Sequence, residues 1–357
     1  MASVHVHLAV TVAVVGALLT GCTRVRSGGS RTSPFTVARS VADSITTEQL
    51  APGVRLHHLV RVGPPLRAHV LDIDLSACVA MRALKGATTA VGRTTTSDLL
   101  RSLSPADTPV LAFDSQQRPY IGTLTVAATL SGVRGRTEIA TWSRPSAIVA
   151  GIVDAAWGQP LDSLVKPTAR ALVPVTGMSA ARRFVVRTLP VSHSTIALGD
   201  TLLLVGPHTT TAEIGDTVVV ETTLRPTMPR TAVGGFPLLL RDSMIVATVD
   251  SDGAASFRGV NPRTAAGYSM NGRRLLLVVI DGRQPGFSVG ATSRETAELL
   301  RDLGAREAVN LDGGGSTAMV VRDVTSGAIR VVNKPSDAAG ERPVANALAV
   351  TGACGRR

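Results

Sequence analysis

Two aspartates stand where apolar runs end. Leu275–Ile280 leads into Asp281, and Ala308–Leu311 leads into Asp312. Polar groups delivered to strand ends are how a rigid scaffold presents reacting groups on loops. Hydrolysis at an acetal carbon needs one group to protonate the leaving oxygen. It needs another to activate water or stabilise positive charge, and paired carboxylates can fill both roles. Directly after Asp312 come Gly313, Gly314, Gly315, Ser316 and Thr317. Successive glycines let backbone approach a ligand, and their N–H groups can form an anion-binding nest with hydroxyls beside it. Arg263 and Arg342 each neighbour a proline that stiffens the chain, and a guanidinium suits bidentate contact with phosphate or carboxylate.

Each signal also has a plainer reading. Asp281-Gly282 is commonly a turn, an arginine beside proline is commonly surface, and a Gly-rich tract is commonly a loop. The glycines do not form a P-loop, because no Gly-Lys-Ser/Thr follows. A serine-hydrolase nucleophile elbow is not expected. By type and spacing alone, these residues describe an exported α+β domain with an anion site.

The elements around them are legible. Asn271-Gly272 signals a hairpin whose second strand is Leu275–Ile280. Thr292 to Glu295 fits a capping box, ETAELLRDLG has helical spacing, and Gly304 is the expected stop. The strand Ala308–Leu311 and the glycine turn follow. Further upstream, Val54–Val62, Ala68–Leu75 and Thr108–Phe113 read as strands. Arg93–Leu100 reads as a helix entry with capping hydroxyls. The turns at Asp200 and Asp216 each feed a β-branched strand, and both aspartates are expected to form turns rather than do chemistry. Residues 120–180 show no sustained period and suit either an inserted subdomain or a mobile surface. Val331–Asn333 and Ala345–Val350 close the chain. The expected fold is α+β: mixed, largely antiparallel sheets with flanking helices.

At 357 residues, with 44% hydrophobic and 18% charged residues, the chain can bury a full core. The net charge is +11, and only three of the 37 basic residues are lysines. No basic run with interleaved aromatics and no nucleic-acid-binding motif accompanies that charge, so nucleic acid is not an expected partner. Leu8–Leu19 is an apolar run of signal-peptide length, followed by Thr20-Gly21-Cys22. Residues 1–21 are read as a lipoprotein signal and Cys22 as the lipidation site, with residues 22–39 a flexible tether. The expected location is therefore the extracytoplasmic face of the cell membrane, lipid-anchored, or the exterior if no lipid is added. Cys78 and Cys354 are then an even pair, free to form a disulfide or to remain two buried thiols. No His/Cys spacing suggests a metal. No cofactor is identified; a divalent cation near the carboxylates stays open, without support from ligand spacing. The sequence does not fix an oligomeric state.

Three stretches together resemble the phosphodiester glycosidase family: NPRTAAGYS, LLLVVIDGRQPGFSVGATSRETAELLRDLGAREAVNLDGGGSTAMVV, and VVNKPSDAAGERPVANAL. The strong likeness covers residues 258–350, within a domain read as 40–352. The resemblance implies hydrolysis of a sugar joined through its anomeric oxygen to a phosphodiester, on a sugar-phosphate or wall glycopolymer. It would make Asp281 and Asp312 the acid/base residues. Arg263 and the turn Gly313–Ser316 would hold phosphate, with Asn310, Asn333, Arg342 and Asn346 contributing to the site or its support. The chain departs from the family at Leu111–Ser115, which lacks an Asn-Gly-Phe-Phe-like motif. Asp114 could stand in there. Two readings stay open: an active hydrolase, or a relative without catalysis that binds envelope glycans or phosphate-bearing polymers.

Overall fold

A computed structural model describes residues 10–15, 42–85, 109–142, 149–153, 169–175, 182–188, 202–206, 212–227, 229–251, 259–322, 326, 328–344 and 346–352. The chain divides into two compact units, one of residues 1–92, 109–122 and 230–357, the other of residues 93–108 and 123–229.

The expected α+β class is corrected. The chain is mostly β, 54% strand and 6% helical, in several antiparallel sheets. One α-helix, Ser293–Asp302, lies among the described residues. The physical reason is composition: aliphatic and β-branched runs fill the pleated, half-buried positions of strands. Among the described residues, 293–302 keep the 3.6-residue period with a proper cap. There Thr292 Oγ1 accepts from Glu295 N (3.1 Å) while Glu295 Oε2 accepts from Thr292 N (2.8 Å). Gly304, at φ +90°, follows the helix in a left-handed conformation that side chains avoid. The helix entry expected at Arg93–Leu100 lies outside the described residues.

The first unit carries the candidate site. Its largest sheet has eight strands in the order Met244–Ile245, Leu238–Arg241, Glu307–Leu311, Arg263–Tyr268, Arg274–Ile280, Leu66–Asp74, Val54–Arg61 and Ser44–Ala51. Every pairing in it is antiparallel. Arg274–Ile280 is central and buried on both faces, which is why it reads as an unbroken apolar run. Leu275, Leu277 and Val279 point into one core with Leu71, Ile73, Val309 and Leu311. Leu276, Val278 and Ile280 point into a second core with Ala297, Leu299 and Leu300 of the helix. This alternation decides which face each site residue belongs to.

A five-stranded sheet in the same unit runs Ile329–Val331, Met319–Arg322, Val10–Val15, Asn346–Gly352 and Val79–Lys85. Val10–Val15 lies within the apolar run read as a targeting segment. Here its backbone pairs in parallel with both neighbours, Val12 opposite Met319 on one side and Leu348 on the other. A run of this composition suits a buried central strand as well as a signal core. Gly352 pairs with Val79, bringing the end of the last strand next to Cys78, which is disulfide-bonded. Cys22 and Cys354 lie outside the described residues. A third sheet, Thr231–Gly234, Val110–Phe113 and Pro119–Gly122, completes the unit.

The second unit has its own eight-stranded sheet and its own core around Leu130, Ile152, Leu172, Phe184 and Val218. Residues 125–132, 135–139, 151–153 and 170–174, from the stretch that shows no period, are strands of that sheet. Asp216 is a turn former as expected, accepting from Glu213 N at 3.1 Å and from Arg134 Nε at 2.9 Å. Asp200 lies outside the described residues.

Candidate active site

Asp281 continues the face of Leu275, Leu277 and Val279 beyond the end of its strand. The chain holds it from every side. Its backbone N–H bonds Arg67 O at 3.0 Å, and Ser288 Oγ donates to its carbonyl at 2.6 Å. Ser288 Oγ in turn accepts from Arg67 N at 3.0 Å. The loop between Asp281 and Ala291 is pinned by bonds from Gln284 N to Ser288 O and from Val289 N to Pro65 O. Asp281 is therefore placed by a rigid loop that folds back on the neighbouring strand.

Its carboxylate is fully buried and meets three donors. Asn333 Nδ2 lies 3.1 Å and Lys334 N 2.9 Å from Oδ1. His69 Nε2 lies 3.2 Å from Oδ2. A buried carboxylate needs such donors to stay ionised. Asn333 is saturated: it also donates to Thr317 O (3.1 Å) and accepts from Met319 N (2.8 Å). One amide thus ties the strand after the glycine turn to Asp281.

His69 is itself bonded. Its Nδ1 lies 2.7 Å from His58 Nδ1, on the strand paired with its own. The rings meet edge to face, 4.9 Å apart at 83°. His58 is partly exposed, and burial, then His69 and Arg330, push its imidazole below the ordinary value of 6.5.

Cationic side chains lie on the segments next to Asp281 and on the glycine turn. Arg67 and Lys334 both lie over the Phe287 ring, 4.5 and 4.9 Å from its centre. Arg283, exposed on the Asp281 loop, lies against the glycine turn: a methyl group on Gly314 would sit 3.3 Å from both its terminal nitrogens. Its backbone is held at φ 58°, an uncommon conformation for a bulky residue, and Nη2 bonds Asn261 Oδ1 at 2.9 Å. Arg342 forms a two-pronged pair with Asp337, at 2.8 and 3.1 Å. That pair lies directly on Gly315, where any side chain would collide with it. The third glycine is needed for this close approach.

The turn's own amides are less free than a nest requires. Gly314 N bonds Pro262 O (2.9 Å), Ser316 N bonds Gly313 O and Thr317 N bonds Gly314 O. The Gly313 and Gly315 amides stand outside these bonds. Four buried polar atoms on the segments framing the site have no partner among the described residues: Arg67 Nε, Gln284 Oε1, Ser336 Oγ and Asn346 Oδ1. Unpaired buried polar atoms are costly, and each calls for a partner such as water, an ion or a ligand.

The residues singled out by sequence are distributed as follows. Asp281 and Asn333 are in contact, and Arg342 lies on the Gly313–Ser316 turn. Asp312 follows Leu311 on the strand one removed from that of Asp281, with Arg263–Tyr268 between them. Two strand spacings place their backbones about 10 Å apart. Asn346 begins its strand, buried, at the end nearest Thr317. Asn310 bonds Phe236 O and Leu311 O at 2.8 Å each, holding the strand it ends.

Arg263 is not brought to Asp281. It pairs with Ile280 and so points to the helix-side face. There its Nε donates to Ala291 O (2.8 Å) and Nη2 to Gly259 O. Burial lowers its guanidinium to about 10. Asp114 is not there either. It accepts from Gln116 N, Arg118 N and Arg118 Nε in a tight turn. Gln116 and Arg118 line a groove of about 570 Å³ with Tyr268, Asn271 and Arg273. That groove is at the hairpin end of the central strands, about 20 Å from Asp281 at 3.3 Å per residue.

The expectation of no nucleophile elbow also needs qualification. Gly286-Phe287-Ser288-Val289-Gly290 has the Gly-x-Ser-x-Gly spelling. It lies on a loop rather than a strand-to-helix turn, and Ser288 is fully buried with its hydroxyl spent on Asp281 O. It is a structural serine.

Sequence reading missed His58, His69, Arg67, Arg283 and Lys334. Only Arg283 carried a nearby signal, its place between Gly282 and a Pro-Gly turn. The histidines sit in ordinary strand patterns more than 200 positions before Asp281, and only the sheet order brings them to it. Among the described residues, no group of three or more His, Cys, Asp or Glu is arranged to hold a metal. No helix among them is long and apolar enough to cross a membrane.

Residues 200–351 of the chain match the family model of the phosphodiester glycosidases. That segment includes Asp281, Asp312, the glycine turn, Asn333 and Arg342. No curated protein matches the chain. Among solved structures, a hypothetical protein of Synechocystis aligns at TM-score 0.59 and 18% identity, covering 87% of this chain. This chain spans 64% of that protein's length. A protein of Burkholderia pseudomallei K96243, named as exported, aligns at 0.50 with 23% identity over 80% of this chain and 74% of its own. These two share the fold. The zebrafish N-acetylglucosamine-1-phosphodiester alpha-N-acetylglucosaminidase catalytic domain aligns at 0.30 with 14% identity, covering 82% of this chain and 81% of its own.

Proposed function

We propose that this chain hydrolyses the bond between a sugar's anomeric carbon and a phosphodiester, with Asp281 at the reacting centre. The observation that carries the proposal is a buried carboxylate wired to a histidine pair, on a loop that sets Arg283 against the glycine turn where Arg342 also packs. A phosphodiester is an anion and a good leaving group. Cations that hold it would stabilise the charge that develops as the bond breaks, more than proton donation alone would. Arg283, Arg342 and the turn Gly313–Ser316 take the phosphate in this reading. Asp281 is the reacting carboxylate, and Asp312, two strands away and level with Arg263 in register, is the second acid/base candidate. Asn333 and the Lys334 amide position Asp281, and Arg263 shapes the loop behind it.

The substrate class is a sugar-1-phosphodiester or a phosphate-containing envelope glycopolymer. Export and lipidation at Cys22 would put the chain where such polymers are. Pairing of Val10–Val15 within the sheet and removal of that segment as a signal are alternative fates for the same residues, and the mass of the mature chain distinguishes them.

The test is incubation of the purified chain with sugar-1-phosphate methyl diesters, measuring free reducing sugar. Turnover that Asp281→Asn abolishes, with the fold intact by circular dichroism, supports the hydrolase. One observation favours a second reading, a glycan- or phosphopolymer-binding protein without catalysis: both Asp281 oxygens are already engaged. Saturable binding of the diesters with no sugar released would favour that reading.

A further inference from the structure

We propose that His58 and His69 form a proton-delivery path ending on Asp281, which reloads a carboxyl group that solvent cannot reach. The inference rests on the reading of Asp281 as the reacting carboxylate, and it assigns positioning roles to two residues outside the family-matched segment.

The need comes from burial. The Asp281 side chain is 0% exposed, so no proton reaches it directly from water. Among the described residues, His69 is the titratable side chain within hydrogen-bond distance of it. His69 is 11% exposed and His58 more so. His58 lies directly opposite His69 on the adjacent strand, and Asp281 lies beyond Val279, the residue opposite His69 on the other side. All three point to the same face. The three groups thus form a row across three strands, from the edge side of the sheet toward its centre.

The contacts fix the tautomers. A separation of 2.7 Å between two Nδ1 atoms requires one ring to donate and the other to accept. Beside an ionised Asp281, His69 Nε2 carries a hydrogen and donates. Neutral His69 then has an accepting Nδ1, and His58 must donate from its own Nδ1. That leaves His58 Nε2 as a free acceptor on the outer side.

One proton then travels without a charge being left on either ring. A proton from solvent binds His58 Nε2. The His58 Nδ1 proton passes to His69 Nδ1, and the His69 Nε2 proton passes to Asp281 Oδ2. An N–H bond forms and another breaks on each imidazole, an O–H bond forms on Asp281, and the carboxylate becomes neutral. The reverse sequence carries away the proton that Asp281 gains as a base. The charged and titratable groups around His58 are His69, Arg330, Glu48 and His57. Arg330 and the neighbouring histidines oppose a resident imidazolium, so the path favours passage over storage. A purely structural histidine pair would share the geometry and the tautomers but would leave kcat and its pH profile unmoved by loss of His58.

Two measurements test the path. The first needs no activity: nitrogen-15 spectra of the histidine rings in the full chain. Nδ1–H on His58 with Nε2–H on His69, above the ordinary histidine value of 6.5, is the expected result. Any other tautomer pair overturns the path even if the chain proves to be a hydrolase. The second is the pH profile of sugar-1-phosphate methyl diester hydrolysis for the unaltered chain, His58→Ala and His58→Phe. The expected result is a loss of kcat of at least about tenfold, with KM held and imidazole restoring His58→Ala but not His58→Phe. A kcat and pH profile unchanged in both variants overturns it. If the unaltered chain releases no sugar, the hydrolase reading fails, and the ring spectra still decide the path.

Discussion

Replacing Asn333 by alanine should uncouple the strand after the glycine turn from Asp281. Asn333 makes three bonds: to the Asp281 carboxylate at 3.1 Å, to Thr317 O at 3.1 Å and from Met319 N at 2.8 Å. The first involves a charge and contributes about 1.5–3 kcal/mol, and the neutral pair about 0.5–1.5 kcal/mol each. Partners left behind are buried, which raises the cost, while partial relaxation lowers it. The expected loss is about 3–4 kcal/mol. At ~2–4 °C per kcal/mol for a unit of this size, the first unit's transition should fall by about 6–15 °C. Both tryptophans, Trp142 and Trp157, lie in the second unit, so their fluorescence follows the wrong transition. Calorimetry, with hydrogen exchange at Met319–Arg322, reports on the first. A loss below about 1 kcal/mol would show that Asn333 does not clamp the site.

Arg283→Gly should leave stability within about 1 kcal/mol, because relief of the left-handed backbone offsets the lost bond to Asn261. The same change should lower kcat/KM for diester hydrolysis by about tenfold or more, by removing a phosphate-facing cation. An unchanged kcat/KM would take Arg283 out of the site. Asp72, buried between Arg55 and Arg274 at 2.8 and 2.6 Å, is pushed up by burial. The His57 ring, 3.7 Å away, and the bond from Arg274 outweigh that and hold it below the ordinary 3.8. Its stabilisation is therefore present above 3.8 and lost as pH falls below that value. Acid titrations of unfolding should show this loss in the native chain and not in Asp72→Asn, which itself should cost about 3–5 kcal/mol. His58 has the opposite charge sense. The unfolded chain takes up its proton near 6.5 while the folded chain resists, so stability is level above 6.5 and declines below it. His58→Gln should flatten that decline. Thr292→Ala should cost about 1 kcal/mol in thermal unfolding through loss of the helix cap.

Local signals were legible where the physics is local. The hairpin at Asn271-Gly272, the capping box at Thr292 and Glu295, the stop at Gly304 and the two strands ending in aspartates follow from turn chemistry and period. The described residues do not form an α+β fold with flanking helices, because their apolar runs outside residues 293–302 find partners across sheets. Which face a residue occupies depends on register, and register is non-local. That is why Arg263, so close to Asp281 in type and promise, lies on the helix side. It is also why Asp114 ends about 20 Å away. His58 and His69 reach Asp281 only through the order of strands Val54–Arg61, Leu66–Asp74 and Arg274–Ile280. No spacing along the chain could show that. The Gly-x-Ser-x-Gly spelling around Ser288 carries the converse lesson: without a strand-to-helix turn beneath it, the serine serves the backbone of Asp281.

The most direct measurement is release of reducing sugar from a sugar-1-phosphate methyl diester by the purified chain, beside Asp281→Asn and Arg342→Ala. Steady release by the unaltered chain is predicted. Asp281→Asn should release none while keeping its fold, and Arg342→Ala should show a raised KM for the diester. Equal release by the unaltered chain and Asp281→Asn would contradict a reaction centred on this carboxylate.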